Sequence, residues 1–482
     1  MAQTQPSIPD NQQALLPMTR TSVNSSGNTG IALGIGLASL PFAVFLGWMV
    51  SQGVGIPVLV ATALVVLPFI TARSRWATAF ALAPVLLYPV NALNSLKVLQ
   101  AINLGPLLAA YLLANVAWMY AVRRRTTTPS SIALAGLLTI IGVGLLESAH
   151  SSNGTLSHAL TNGTFWLSAF FLGSLIADDS EQFLTLGICA LPLAALAVWQ
   201  AATGSNPYNH LIGTLRFASV ETYGDLQRST STFGHPLVAG ACLTILAFSA
   251  VVGRHRLGAI VAPLVLLGAV ATVSRSALIG AALGFLVAIA QGTARRRVVV
   301  IVGLIAAGVL LSAFFFPRLS TSLEGRLLGS STKEVARTAG PQRLYDELSN
   351  EPLAIAFGGG IGTTNRELAA SGGIGGVNTY DNQFIDTLFD IGFIPLVAVL
   401  LLIGYAIFHA RSDRRRDFLP VVVGSTAMLL FFDGLGWASF AVLFWLGIGA
   451  LTSKSRVPDE PVSKDPKYQA NETKLLTISG SA

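Results

Sequence analysis

The sequence predicts an all-α polytopic membrane protein with about 14 transmembrane helices (12–14) and one large loop on the outer side. Three observations carry that prediction. Of 482 residues, 52% are apolar or aromatic and only 11% are Asp, Glu, Lys or Arg, whereas a soluble chain is about 25% charged. Mean hydropathy is +0.64. The apolar residues fall into separated runs, most close to the roughly 17–25 residues that a helix needs to cross a bilayer. Finally, the basic residues gather in every second connection between runs, as the positive-inside rule requires.

In chain order the runs are 31–50, 54–72, 77–96, 102–122 and 132–146, then 164–177, 183–202, 237–252, 257–273 and 276–290. The last four are 298–316, 384–408, 418–432 and 437–451. Residues 164–177 and 418–432 are short enough to be re-entrant or tilted pieces, which makes twelve spans the alternative. The chain therefore divides into an N-terminal tail, 1–29, and helical blocks at 30–202, 237–316 and 384–451. Two long loops, 203–236 and 317–383, separate the blocks, and a tail, 452–482, follows them. Both tails are polar and expected to be disordered. Some thirty mostly polar residues, with Arg20 their only basic one, precede the first run, so a cleavable leader is not expected.

Threading the chain from a cytoplasmic N-terminus puts 20 of the 30 Lys and Arg inside. Among them are Arg73, Arg75, Arg123, Arg124, Arg125, Arg254, Arg256 and the cluster Arg411 to Arg416. The short outer connections hold only Lys97 and Arg275, and the rest lie in the two long loops, which translocate regardless of charge. Both termini are thus expected in the cytoplasm. The net charge of +7 is accounted for by these topology determinants beside anionic lipid, so no nucleic-acid partner is expected. Cys189 and Cys242 lie within apolar runs, without metal-ligand spacing or a disulfide framework.

A charge near the hydrocarbon costs about 2.5–3.5 kcal/mol at a helix centre, so charges kept at the outer helix mouths are informative. Arg216 and Arg228 lie in the loop that enters the eighth span through Ser231-Thr232-Phe233-Gly234-His235-Pro236. They either pair with Glu221 and Asp225 in solvent or form a positive mouth for an anionic substrate, since guanidinium grips phosphate bidentately. Arg275, in the tight turn Ser274-Arg275-Ser276, either snorkels to lipid phosphate or faces a substrate. Arg343 opens an amphipathic segment that runs into Gly358-Gly359-Gly360-Ile361-Gly362, a flexible lid or a backbone phosphate cradle. No Gly-Lys-Ser/Thr follows, so it is not a nucleotide P-loop. Asn382, Asp386 and Asp390 recur every four residues and share one helix face, with Asp381 a possible N-cap. Asp433 sits at the mouth between the last two spans, where it either ends a helix or faces the same site. Carboxylates and phosphate-gripping arginines at one membrane surface suit transfer chemistry on a lipid-linked phosphorylated substrate.

These motifs resemble those of the O-antigen ligase and polymerase superfamily. The resemblance rests on Ser231-Thr232-Phe233-Gly234-His235-Pro236, Ser274-Arg275-Ser276-Ala277-Leu278, Arg343-Leu344-Tyr345 running to Gly360-Ile361-Gly362, and Asp381-Asn382-Gln383-Phe384 running to Gly392. Their order matches that family's over roughly residues 205–410. The family's ligases carry a His-Asn pair where this chain has Asp381-Asn382, a departure that favours a polymerase over a ligase.

The resemblance implies a bacterial inner-membrane glycosyltransferase, independent of metals and cofactors, whose large loop and active site are periplasmic. Its partners would be an undecaprenyl-diphosphate-linked oligosaccharide, membrane lipid, and possibly a chain-length regulator and a flippase. Asp381 would be the base, with Arg275 and Arg216 or Arg228 neutralising the diphosphate leaving group. Asn382 would position the acceptor, and Arg343 would hold the loop or the glycan. His235 and Asp386 would complete the substrate surface. A ligase acting on lipid A core, and a flippase or other transporter, are the alternatives.

Overall fold

A computed structural model describes residues 66–87, 104–123, 127–150, 156–207, 222–223, 226–252, 255–291, 356, 358–362, 364, 382–410 and 413–455. The expected spans 31–50 and 298–316, most of 54–72 and nearly all of the loop 317–383 lie outside them. The described chain is mostly helical. Its helices are α1 (Ala77–Leu87), α2 (Leu104–Val122), α3 (Ser131–His150), α4 (Leu156–Ile176), α5 (Ser180–Cys189), α6 (Leu191–Thr203) and α7 (Pro236–Val251). They continue with α8 (Gly258–Ala271), α9 (Arg275–Gln291), α10 (Gln383–Ile391), α11 (Phe393–His409), α12 (Asp413–Arg416), α13 (Leu419–Leu429) and α14 (Ala438–Thr452). Among the described residues, four stretches are long and apolar enough to cross a membrane: Gly105–Val122, Ser131–His150, Leu156–Ile176 and Ser180–Thr203. Two antiparallel pairs of two-residue strands, Thr127–Thr128 with Lys454–Ser455 and Thr222–Tyr223 with Leu226–Gln227, are small exceptions to the all-α expectation.

Local chemistry explains where helices depart from the apolar runs. The run 164–177 looked short because Ser157, His158, Thr161 and Asn162 precede it, yet α4 starts at Leu156 and is 21 residues long. Thr161 and Asn162 are buried, so protein rather than lipid surrounds them. The run 183–202 is divided at Ala190, with Pro192 in the first turn of α6, where a missing amide is harmless. The run 384–408 breaks at Gly392, whose φ of 88° suits only glycine. That break separates α10 from α11.

Close backbone approach builds the centre. Every residue of α14 is buried, as expected of a helix apolar on all sides. It crosses α4 where a Cβ on Gly173 would lie 2.0 Å from the Leu446 carbonyl oxygen, and one on Gly449 2.1 Å from that of Phe170. Ser174 Oγ donates to the Gly449 carbonyl at 3.1 Å across the same contact. Small residues that let two backbones touch are the usual device for helix pairing in lipid. Large apolar residues are exposed instead on outer helices, including Ile132, Leu138 and Leu146 of α3 and Leu400, Leu401 and Phe408 of α11.

Arg123 pairs with Asp179 at 3.3 Å and donates to the carbonyls of Ala72 and Ser74 at 2.6 and 2.8 Å. Ser180 Oγ lies 3.4 Å from His255 Nε2. Residues that the threading assigns to one face therefore meet. Cys189 and Cys242 are both free thiols.

Candidate functional site

The site begins with the start of α10. Asn382 is its N-cap: Oδ1 accepts from the amides of Phe384 and Ile385 at 3.0 and 3.3 Å. That bond commits the side-chain oxygen of Asn382, the residue expected to position the acceptor, to the start of the helix. Asp386 and Asp390 then fall on one face, as their spacing implies.

Asp390 is a structural anchor. Its Oδ2 accepts from the Gly362 amide at 2.7 Å, and its Oδ1 accepts from the amide and hydroxyl of Thr364 at 2.9 and 2.7 Å. The amides of Gly359 and Gly360 donate to the carbonyls of Phe389 and Asp390, and that of Ile361 to Ser148 Oγ. The glycine-rich segment is thus sewn onto the end of α10. This corrects both sequence readings of it: the amides that were to cradle phosphate are spent inside the protein, and the turn is fastened rather than a free lid. Gly358 is required there, because a Cβ would meet the Gly392 amide nitrogen at 2.6 Å.

Beside this turn is a cavity of about 260 Å³, a little below the roughly 300–1,000 Å³ of pockets for drug-sized ligands. Asp386, Asp390 and Asp433 line it, with His158, Asn162 and Trp166 of α4 and Trp437 at the head of α14. Gln383 closes one wall, accepting from the Leu435 amide at 2.6 Å and donating to Thr387 Oγ1 at 3.1 Å. Asp386 is 6% exposed, and its Oδ1 accepts no hydrogen bond. A buried carboxylate oxygen without a donor is costly, and Asp386 is one of the residues in the cavity wall. Among the described residues that line the cavity there is no Lys or Arg.

His235 reaches the edge of this site. It caps α7, Nδ1 accepting from the Leu237 amide at 3.3 Å, and its ring lies 5.4 Å from that of Trp437. The segment before it is organised by Gln200, whose Oε1 accepts from the amides of Thr230 and Ser231 at 2.9 and 3.1 Å and from Ser229 Oγ at 3.1 Å. Ser231, at φ 47°, donates its hydroxyl to the Leu193 carbonyl at 2.8 Å. Thr232 Oγ1 donates to the Leu86 carbonyl at 2.9 Å. The motif is thus a buried, hydrogen-bonded junction between α1, α6 and α7.

Arg228 and Arg275 lie elsewhere. Arg228 is 3% exposed and its Nε donates to the Thr272 carbonyl at 3.1 Å, so it is a buried tie to the end of α8 rather than part of a solvated loop. Arg275 opens α9 and is half-buried, in a turn where Val273 has φ 50° and Ser274 Oγ accepts from the Ala277 amide at 3.3 Å. Arg228 and Arg275 therefore flank one turn, Thr272 to Arg275, but neither lines the carboxylate cavity. Arg216, Arg343 and Asp381 lie outside the described residues.

Sequence reasoning passed over His158, Asn162 and Trp166, which also recur every four residues and share one face of α4. Their polarity cut that span short on a hydropathy reading, although the same spacing was the usable signal. No protein-family model matches the chain, and no curated protein matches it.

Proposed function

We propose that the chain is a bacterial inner-membrane glycosyltransferase that polymerises undecaprenyl-diphosphate-linked oligosaccharide repeat units on the periplasmic side. The observation that carries this reading is Asp386, a buried carboxylate in the wall of a cavity, one of whose oxygens accepts no hydrogen bond. It lies on the helix that leads out of the long loop 317–383. In the reaction an acceptor sugar hydroxyl attacks the anomeric carbon of the lipid-linked chain. The new glycosidic C–O bond forms as the bond to diphosphate breaks, and the diphosphate departs with the electron pair. The hydroxyl proton passes to a carboxylate, Asp386 or Asp381, a role typically worth about 10²–10⁴-fold. Arg275, with Arg216 or Arg228, neutralises the charge growing on the diphosphate. The fourteen-span arrangement with both tails cytoplasmic belongs to the same proposal.

One observation favours a second reading. The break at Gly392 between α10 and α11, beside buried carboxylates, is also how transporters build substrate sites from discontinuous helices. Purified protein in lipid, supplied with the lipid-diphosphate-linked repeat unit of its own host, separates the readings. A polymerase yields a size ladder that Asp386→Asn or Asp381→Asn abolishes. One-step transfer to an added acceptor would instead mark a ligase, and the absence of either product would favour transport.

A further inference from the structure

The turn that carries Arg275 is strained, and buried neighbours hold the strain in place. Val273 lies at φ 50° and is 3% exposed. The left-handed region is unfavourable for a side chain, most of all for a β-branched one, and glycine or asparagine is its usual occupant. Such a conformation persists only where the surroundings over-determine it, and it is found most often at sites of function. Here three elements impose it. From the segment before α7, Arg228 Nε donates to the Thr272 carbonyl at 3.1 Å, and the Ser229 amide donates to the Ala271 carbonyl at 3.4 Å. On α7, Gly240 lies so close that a Cβ on it would be 2.5 Å from Thr272 Oγ1 and 3.0 Å from Ser274 Cβ. On the α9 side, Ser274 accepts from the Ala277 amide through Oγ at 3.3 Å and from the Leu278 amide through its carbonyl at 3.1 Å. The helix therefore begins with no slack after the strained residue.

Thr272, Val273, Ser274, Ser276 and Ala277 are buried, whereas Arg275 is half-buried. The turn thus packs its other side chains into the protein and presents a guanidinium at the head of α9. We infer that Arg228 is a positioning residue for Arg275: by holding the end of α8 it keeps Val273 left-handed and Arg275 in one place. The inference rests on the polymerase reading, in which Arg275 meets the diphosphate, and it takes Arg228 out of direct contact with that group. A cation beside the C-terminal carbonyls of α8 is also favoured by the helix dipole, which gives the Arg228 charge a use within the fold.

Two substitutions of similar length separate positioning from charge. In Arg228→Gln the amide nitrogen lies as many bonds from Cα as Nε does, so the donor to Thr272 is kept and the charge is lost. Arg228→Met places a methyl group there and loses both. The test uses full-length protein in lipid nanodiscs with the lipid-diphosphate-linked repeat unit of its host. Arg228→Met should lower single-turnover transfer by about 10–100-fold, the cost of a misplaced group, and Arg228→Gln should recover most of that loss. In an Arg275→Ala background the methionine should cost nothing further. Equal losses from the two variants, or an undiminished methionine loss without Arg275, overturn the inference. Should Arg228→Met not fold, Arg228→Gln is compared with Arg275→Gln: the first should be the milder, and equal losses overturn it. A second readout needs no turnover. With Cys189→Ala and Cys242→Ala, Arg275→Cys is labelled by a membrane-impermeant maleimide. Arg228→Met should change the labelling rate several-fold and Arg228→Gln should restore it. An unchanged rate with methionine overturns the positioning even where polymer forms. A changed rate in a protein that makes no polymer retains the positioning and removes the polymerase.

Discussion

Asp390 and Gly362 are joined by a 2.7 Å hydrogen bond from the glycine amide to the carboxylate, a contact across 28 residues that fastens a glycine-rich turn to a helix end. It converts a motif that looks like a phosphate cradle into part of a cavity wall. The other oxygen of the same carboxylate serves Thr364, so both oxygens of this side chain hold the turn, whereas Oδ1 of Asp386 accepts no hydrogen bond.

Asp390→Ala is expected to lower thermal stability, because it strands the amides of Gly362 and Thr364 at about 1–3 kcal/mol for each left without a partner. Asp390→Asn should recover part of the loss through its remaining carbonyl. Unfolding of both variants in detergent, followed by intrinsic fluorescence, checks the order wild type, Asn, Ala. Equal melting temperatures for wild type and Ala would remove the anchoring role.

Asp386→Asn should behave oppositely. It keeps the size of a buried side chain and breaks no observed hydrogen bond to Oδ1, so folding should be retained. Polymer formation should fall by about 10²–10⁴-fold if Asp386 is the base. Single-turnover transfer, measured at matched amounts of folded protein, distinguishes this from a loss of yield.

Glycines at the helix crossing should divide by their surroundings. Gly173→Ala drives a Cβ to 2.0 Å from the Leu446 carbonyl oxygen, and overpacking of this kind costs about 1–3 kcal/mol. Gly142→Ala meets nothing within 4 Å, so a helical alanine there should be neutral or stabilising by up to about 1 kcal/mol. Parallel melting curves for the two variants test the α4–α14 contact directly.

Gln200→Leu should destabilise the segment before α7, because two amides and a serine hydroxyl lose one shared acceptor. Gln200→Glu retains that acceptor but loses the donation from Nε2 to Thr230 Oγ1 at 3.3 Å and places a carboxylate at a buried position. The surrounding donors offset part of that cost, so it should rank between wild type and Leu. If the two variants melt together, the shared acceptor is not what holds the segment.

Arg275→Ala should reduce polymer yield more than Arg275→Lys, since lysine restores charge but not the planar fork that grips phosphate. Identical yields from the two variants, or a yield equal to wild type from Ala, would detach Arg275 from the diphosphate.

The sequence alone established that this chain is helical and rich in segments able to cross a membrane, and it located most of the described helices within a few residues. Hydropathy and charge suffice for that, because the transfer of a helix into lipid is a sum over neighbouring residues along the chain. The spacing of Asp386 and Asp390 likewise announced a shared polar face. Whether a polar residue meets lipid, protein or a cavity is a property of pairs distant in sequence, and only the tertiary structure decided it. It showed Asp390 bound to Gly362 and Thr364 while Oδ1 of Asp386 accepts no hydrogen bond, Arg228 turned inward to the Thr272 carbonyl, and α4 extended through His158 and Asn162 to the cavity that α10 also lines. The breaks at Pro192 and Gly392 belong to both levels: the residues permit them, and packing against neighbouring backbone makes use of them.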